Sequence, residues 1–284
     1  MNQSITTAWP VVMSVAGYDP SAGAGTIADL KTFAAHSCYG VAAITALTVQ
    51  NTHGVASVHP VEAPQLKDSI LSLLADGRVR ALKIGMLCNQ PIAEVICEIL
   101  EANPQLPAVL DPVVRSSNNF DLLDSAGLDF LRRELLSRVT VVTPNLAEAA
   151  ALAGMPVDNL EGMKAAARKL AELGARAVVV TGGHLDRAID VFLTGTAVES
   201  FAGDHVKPDN THGTGCTFSS AVAANLALGR HLRDAVVMAK AYVVEAIRRA
   251  FPVGPGRLPL NHLYRMAQAA RVSDHSPEVA EPVH

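Results

Sequence analysis

The chain has 284 residues, 49% hydrophobic and 18% charged, enough apolar content to bury a large core in a single α/β domain. Its formal net charge of -4 offers no basic surface for a nucleic-acid backbone, which leaves a small-molecule ligand as the better starting point. No apolar run reaches the ~18 residues of a membrane span, "MNQSITTAWP" lacks the pattern of a signal peptide, and the four cysteines (Cys38, Cys88, Cys97, Cys216) match neither a zinc site nor a disulfide framework, so a cytoplasmic protein is expected.

In chain order, residues 1–9 are expected to be a flexible N-terminus, 10–270 one domain and 271–284 a polar, disordered tail. Six short apolar runs rich in β-branched residues and closed by Gly, Pro or Asp predict buried strands: Val11–Gly17, Val41–Val49, Ala81–Gly85, Pro107–Asp111, Val139–Pro144 and Arg176–Gly183. Between them, "TIADLKTFAAH", "APQLKDSILSLLAD", "PIAEVICEILEA", "SAGLDFLRRELLSR" and "EGMKAAARKLAELG" repeat apolar residues at three- and four-residue spacing and predict helices, the last closed by Gly174. This alternation predicts a mostly parallel sheet covered on both faces. After Gly183 the pattern changes to short runs broken by Gly-Thr and Gly-Asp, which predict antiparallel strands, and two helices follow at Gly215–Leu228 and His231–Phe251.

Ligands of open parallel sheets bind at the carboxyl ends of the strands, so the residues after each strand carry the candidate chemistry. The glycine-rich "GYDPSAGAG" (Gly17–Gly25) invites a phosphate-loop reading, yet neither G-x-x-x-x-G-K-[ST] nor G-x-G-x-x-G can be laid on it; a turn that lets the backbone approach something closely is the other reading. "HGTGC" is a better anion site, because Gly213 and Gly215 free the backbone to turn N–H groups toward one point at a helix start, although glycine pairs also serve packing alone. Cys216 falls in that first turn, where the helix dipole favours thiolate, or is an inert core cysteine. Asn145 and Glu148 in "NLAE" share one helix face or form a simple cap, and Asp111 faces a metal or forms a turn.

Taken together and in this order, "AGYDPSAGAGTIADLKTF", "ITALTVQNTHGV", "KIGML", "DPV", "TPNLAEA", "GGH" and "THGTGC" resemble the ribokinase-like superfamily, and within it the hydroxymethylpyrimidine and phosphomethylpyrimidine kinases of thiamine biosynthesis, over about residues 10 to 265. The resemblance implies a three-layer αβα sandwich whose mostly parallel central sheet carries a few antiparallel strands toward the C-terminal part. It implies ATP-dependent phosphorylation of 4-amino-5-hydroxymethyl-2-methylpyrimidine and then of its monophosphate. By the same resemblance the substrate pocket matches Gly17, Asp29, Gln50, Met86 and Val113, with the Gln50 amide facing the aminopyrimidine edge. The Mg-ATP site matches Asp111, Asn145 and Glu148, with Asp111 and Glu148 on Mg2+ and Thr181 and Gly183 at the nucleotide; Gly213, Thr214, Gly215 and Cys216 match the anion hole, Cys216 standing where related kinases carry an aspartate base. A homodimer is expected, with neither nucleic acid nor membrane as partner.

Three positions depart from the family pattern: Thr181 replaces a lysine that faces phosphates, "RSSNNF" follows Asp111 in place of a Ser-Gly ending, and Ala22 replaces a glycine. Arg115 and Lys207 are candidate cations to substitute for the missing lysine. Two rival functions stand beside the main one: a pyridoxal or pyridoxine kinase, and a pyrimidine-binding protein without turnover, the latter motivated by Thr181.

Overall fold

A computed structural model describes residues 9–266 apart from 117, 184–187, 204, 205 and 209. The tail at 271–284, the N-terminus up to residue 8 and the histidine of "GGH" therefore lie outside the described residues. The elements follow the order β1 (Val11–Tyr18), α1 (Gly25–Ala35), β2 (Tyr39–Asn51), β3 (Gly54–Pro60), α2 (Ala63–Ala75), β4 (Val79–Ile84), α3 (Gln90–Ala102), β5 (Ala108–Leu110), α4 (Ser125–Phe130), β6 (Val141–Val142), α5 (Leu146–Ala153), α6 (Leu160–Glu172), β7 (Ala177–Val180), β8 (Ala188–Thr194), β9 (Ala197–Gly203), β10 (Thr211–His212), α7 (Thr214–Ala227), α8 (Leu232–Arg248) and β11 (Leu258–Pro259).

Nine strands form one sheet in the order β3-β2-β1-β4-β5-β6-β7-β8-β9. Strands β1, β2, β4, β5, β6 and β7 run parallel, while β3 pairs antiparallel with β2, and β8 and β9 close the opposite edge as an antiparallel hairpin. The sheet therefore has the expected architecture, with one difference. β3 was not predicted, because "GVASVHP" is a half-exposed edge strand with no continuous apolar run to mark it. The predicted helix over 125–138 is also not uniform: α4 passes into a π-helical turn at Leu131–Leu135.

The period of two along each strand sorts the core into two layers. Met13, Val15, Leu82, Ile84, Leu110 and Val142 pack with the helices of one face, among them Ile92 and Ile96 of α3, Leu152 of α5 and Met163 of α6. Val12, Ala81, Val109 and Val141 take the alternate positions and meet Phe33 of α1, Phe218 and Val222 of α7 and Tyr242 of α8. α7 is buried without a break from Thr217 to Asn225, as its small residues require of a helix pressed between the sheet, α1 and α8. The chain runs from β1 outward through β2 and β3 on one side, then resumes at β4 on the other, so the topological switch point opens between the carboxyl ends of β1 and β4.

Candidate active site

Ser14 of β1 and Lys83 of β4 are paired in register, and both take positions that face α1 and α7. A lysine in the middle of the apolar strand "VRALKI" is unusual, and Lys83 is fully buried. Its ammonium donates to Asp29 of α1 at 3.0 Å and lies 3.8 Å from Asp111, which follows β5. Asp29 is itself fully buried and accepts further bonds from Ser14 Oγ at 2.6 Å and Ser220 Oγ at 2.7 Å. Burial alone would lower the Lys83 ammonium, but the charge of Asp29, with Cys216 and Asp111 behind it, outweighs burial and holds it raised. The result is a buried polar cluster bridging β1, β4, β5, α1 and α7, with Lys83 at its centre.

Directly over this cluster stands the start of α7. Gly213, its N-cap, has φ 84, in the left-handed region open to glycine. A side chain there would overlap the carbonyl oxygen of Gly23, so the chain at "HGTGC" lies against the chain at "SAGAG" with no room for a Cβ. Gly215 is exposed, and a Cβ on it would meet the Asp111 carboxylate at 3.6 Å. The N–H groups of the first turn of α7 have no intrahelical acceptor and lie beside Asp111 with Gly215 exposed, a geometry that suits an anion. Ser219 Oγ stands between the two, 3.0 Å from the Gly215 carbonyl and 3.3 Å from the Asp111 carboxylate, and its one proton can go to either.

Cys216 is half-buried in that turn, within hydrogen-bonding reach of Asp111. Here the sequence expectation of a favoured thiolate is corrected. Burial pushes the thiol up, Lys83 pulls it down, and Asp111 and Asp29 push it up again; the sum is raised, so the neighbouring carboxylates and burial outweigh the helix start.

Asp111 and Glu148 form a second electrostatic unit. Burial raises Asp111 against the pull of Lys83, and burial together with the Asp111 charge raises Glu148 well above an ordinary carboxylate. Glu148 and Asn145 also form a full capping box at the start of α5: Glu148 N–H donates to Asn145 Oδ1 at 3.0 Å and Asn145 N–H donates to Glu148 Oε2 at 2.9 Å. The cap reading of "NLAE" therefore holds, and it leaves the same two residues at the carboxyl end of β6. Next to them, Asn145 and Thr181 form a bridge at the carboxyl ends of β6 and β7, with Thr181 N–H donating to the Pro144 carbonyl at 2.9 Å. Gly183 is exposed with open space around it.

On the other side of α7, Met86 packs against Gly17, where a Cβ would overlap its methyl group. The Gln50 side chain lies within hydrogen-bonding distance of His212, at 3.0 Å, and of Thr48, at 3.2 Å. His212 Nε2 in turn is 3.2 Å from Asp19 Oδ2. The carboxyl ends of the strands thus divide into one half lined by Gly17, Gln50 and Met86 and another by Asp111, Asn145 and Thr181, with the start of α7 between them.

The phosphomethylpyrimidine kinase profile matches residues 19–261. The chain belongs to that family. It is 40% identical over 248 residues to a hydroxymethylpyrimidine/phosphomethylpyrimidine kinase of Aquifex aeolicus, covering 87% of this chain and 97% of the relative. It is 38% identical to one of Synechococcus elongatus, over 90% of this chain and 98% of the relative. Among solved structures, the pyridoxal kinase of Staphylococcus aureus in complex with ADP superposes with a TM-score of 0.84 at 33% identity, covering 90% of this chain and 94% of that one. The phosphomethylpyrimidine kinase of Clostridium difficile 630 superposes with a TM-score of 0.74 at 35% identity, covering 84% and 99%. The ribokinase-like fold and the kinase class follow from this membership.

Within the family frame, the structure brings together Gly213, Thr214, Gly215, Cys216 and Asp111 in one group, Asn145, Glu148 and Thr181 in another, and Gly17, Gln50 and Met86 in a third, with Val113 half-buried after Asp111. One expected contact is corrected. Asp29 is no pocket wall, because no part of its side chain is exposed and its oxygens are taken by Ser14, Ser220 and Lys83. It acts on the site through Lys83. Arg115, a candidate substitute for the missing lysine, is paired with Asp121 at 2.7 Å on the surface; Lys207 is exposed. A cation that the sequence reading passed over, Lys240 of α8, is bound at 2.7 Å to Asp190, whose other oxygen accepts from Gly182 N–H in the turn after β7. The residues missed from sequence were Lys83, Ser14, Ser220, Asp19 and His212; the one available signal was a lysine inside an apolar strand.

Proposed function

We propose that this chain transfers the γ-phosphoryl group of ATP to 4-amino-5-hydroxymethyl-2-methylpyrimidine and then to its monophosphate. The observation that carries the reading is the exposed start of α7 set directly beside Asp111 and above the buried Lys83. Such a site stabilises charge on a transferred phosphoryl group by position and fixed dipoles, and asks little covalent chemistry of the protein. The names of the relatives, hydroxymethylpyrimidine/phosphomethylpyrimidine kinases at 38% and 40% identity, supply the acceptor.

Asp111 and Glu148 suit a magnesium ion. Both are oxygen donors raised first by burial, and the Asp111 charge raises Glu148 further, so a divalent cation would relieve that repulsion. Among the described residues no group of three or more His, Cys, Asp or Glu side chains forms a metal site, which leaves the remaining ligands to phosphate oxygens and water. When bound, the ion would draw charge from the phosphoryl oxygens. The protein's own part is to keep Asp111 oriented through Ser219 and Lys83 and to hold the acceptor against Met86 and Gln50. Because burial raises the Cys216 thiol, its part toward the hydroxymethyl group is positional and not that of a standing thiolate, which suits a loose transition state that asks little of a base.

A second reading has its own observation. The superposition is closer on the Staphylococcus aureus pyridoxal kinase than on the Clostridium difficile enzyme, so pyridoxal is an acceptor to include. A homodimer is supported by Leu47 and Val49 of β2, which are 51% and 56% exposed beside the β2–β3 edge. Four free cysteines, and the absence among the described residues of any helix long and apolar enough to cross a membrane, fit a cytoplasmic enzyme. The test is turnover of ATP with the free pyrimidine, its monophosphate and pyridoxal in parallel. Phosphorylation of both pyrimidines with kcat/KM above that for pyridoxal is expected; turnover of pyridoxal alone, or of none, overturns the reading. A loss of about a hundredfold in kcat for Cys216→Ala, with a modest change in KM, would show instead that the thiol takes part in proton transfer.

A further inference from the structure

The glycine-rich loop after β1 has a use that its phosphate-like composition conceals. The carboxylate of Asp19 accepts from Ser21 N–H at 2.8 Å, Ser21 Oγ at 2.7 Å, Gly23 N–H at 3.2 Å and Ala24 N–H at 2.9 Å, so the loop folds around its own aspartate. Burial alone would raise Asp19, but bonds from His212 and Ser21, the His212 charge and the Ala24 N–H together hold it below the ordinary value. An ionised carboxylate only accepts. His212 Nε2, 3.2 Å from Asp19 Oδ2, must therefore carry the proton. The ring is also packed in place, since a Cβ on Gly23 would meet His212 Cδ2 at 2.7 Å.

That assignment propagates to Gln50. The single proton of the Thr48 hydroxyl goes to the Tyr18 carbonyl at 2.9 Å, which leaves Thr48 Oγ1 an acceptor toward Gln50 at 3.2 Å. The two ends of a glutamine amide have the same shape, so hydrogen bonding decides which is which. Thr48 asks for the amide nitrogen. His212, 3.0 Å from the opposite end, asks for the amide oxygen. Both demands agree on one orientation, and the reverse orientation sets donor against donor at His212.

We propose that His212 is a positioning residue: its one Nε2–H, held on that nitrogen by the Asp19 carboxylate, is shared as a three-centre bond between Asp19 and the Gln50 amide oxygen, which fixes the amide with its nitrogen toward Thr48 and so sets the donor–acceptor order offered to the substrate ring. The remaining N–H and the remaining oxygen lone pair of Gln50 then keep fixed places side by side. This is the complement of an amino group beside a ring nitrogen, so the inference rests on the pyrimidine reading of the site and deepens it. Without His212 only Thr48, whose hydroxyl can rotate, holds the amide, and part of the population offers the ring edge the wrong order.

The test is equilibrium binding of 4-amino-5-hydroxymethyl-2-methylpyrimidine, without ATP, to the wild type, His212→Phe and His212→Gln, with thermal unfolding alongside. Phenylalanine keeps the packing against Gly23 and removes the donor, whereas glutamine loses the ring but carries an N–H donor to the place of Nε2. A Kd about tenfold weaker for His212→Phe, with His212→Gln within about threefold of wild type, is expected. In turnover, the Phe variant should show its loss mainly in the KM for the pyrimidine, with kcat and the KM for ATP changing far less. Phe binding as tightly as wild type, or Gln binding as weakly as Phe, overturns the proposal. Nitrogen NMR of the wild-type imidazole gives a result that needs no variant: a proton on His212 Nε2 supports it, and a bare Nε2 overturns it. Should the wild type fail to bind or turn over any pyrimidine, the function itself falls, and this assignment with it.

Discussion

Two glycine-rich loops meet back to back in this protein, Gly17–Gly25 after β1 and Gly213–Cys216 at the start of α7, and their backbone N–H groups go to opposite destinations. In the first, the N–H groups of Ser21, Gly23 and Ala24 all point at Asp19. In the second, the exposed Gly215 leaves the first turn of a buried helix open beside Asp111. The first loop carries its own anion and the second is free to receive one. Glycine content is common to both and does not distinguish them; what does is where the N–H groups are satisfied. Each loop also needs the other, because Gly213 can approach the Gly23 carbonyl only without a Cβ.

The largest expected effect lies beneath the second loop. Lys83→Met leaves Asp29 and Asp111 buried with no cation between them, and removing one partner from such a cluster costs about 3–5 kcal/mol. A marked drop in the denaturant midpoint, with loss of activity in the fraction that remains folded, is expected; an unchanged midpoint would show that the cluster does not depend on its lysine. Of smaller size is the effect of Glu148→Gln. Since Glu148 is raised in the folded state, its contribution to stability is present at low pH and is lost as pH rises through its folded-state value. Glutamine keeps the capping box and has no charge to lose. The variant should therefore match the wild type near pH 4, exceed it in thermal midpoint near pH 8, and gain less from added magnesium; a stability difference that does not change with pH contradicts the assignment.

The smallest effect sharpens the first loop. Ala22, where the resemblance implies glycine, stands with φ 59 in the left-handed region, and it holds that place by donating its N–H to the Asp19 carbonyl and accepting from Lys31. Ala22→Gly should raise the unfolding free energy by up to about 1 kcal/mol, seen as a higher midpoint, the strain relieved being partly offset by the entropy of glycine. A lower midpoint would mean that the loop is not strained there.

Much of this was legible in the sequence. The six parallel strands and their helices could be read because each buried strand is a short β-branched run and each helix carries a regular apolar stripe. The candidates from Asp111 through Asn145 and Glu148 to "HGTGC" could be placed because they stand directly at strand ends and a helix start, while their roles came from the family resemblance. Lys83 could not, since a charged residue inside a strand is ordinarily solvent-facing and its burial depends on Asp29, 54 positions away, with Ser220 more distant still. His212 and Asp19 are 193 residues apart, and no local pattern announces that they meet. The thiolate reading of Cys216, one of two open in the sequence, followed from the helix start alone; burial reverses it first, and then two aspartates contributed by the end of β5 and by α1.

The most direct test of the contrast between the loops is Gly215→Ala. An added methyl group there makes only ordinary contact with Asp111, at 3.6 and 3.9 Å, and alanine is favoured over glycine within a helix by up to ~1 kcal/mol. The variant should fold with a thermal midpoint at or above that of the wild type, yet its methyl group stands where the phosphoryl group must sit. A loss of about a hundredfold or more in kcat/KM for ATP, with that midpoint preserved, is the predicted result. Wild-type kinetics in a folded Gly215→Ala protein would contradict the claim that the start of α7 is where the transferred phosphoryl group is held.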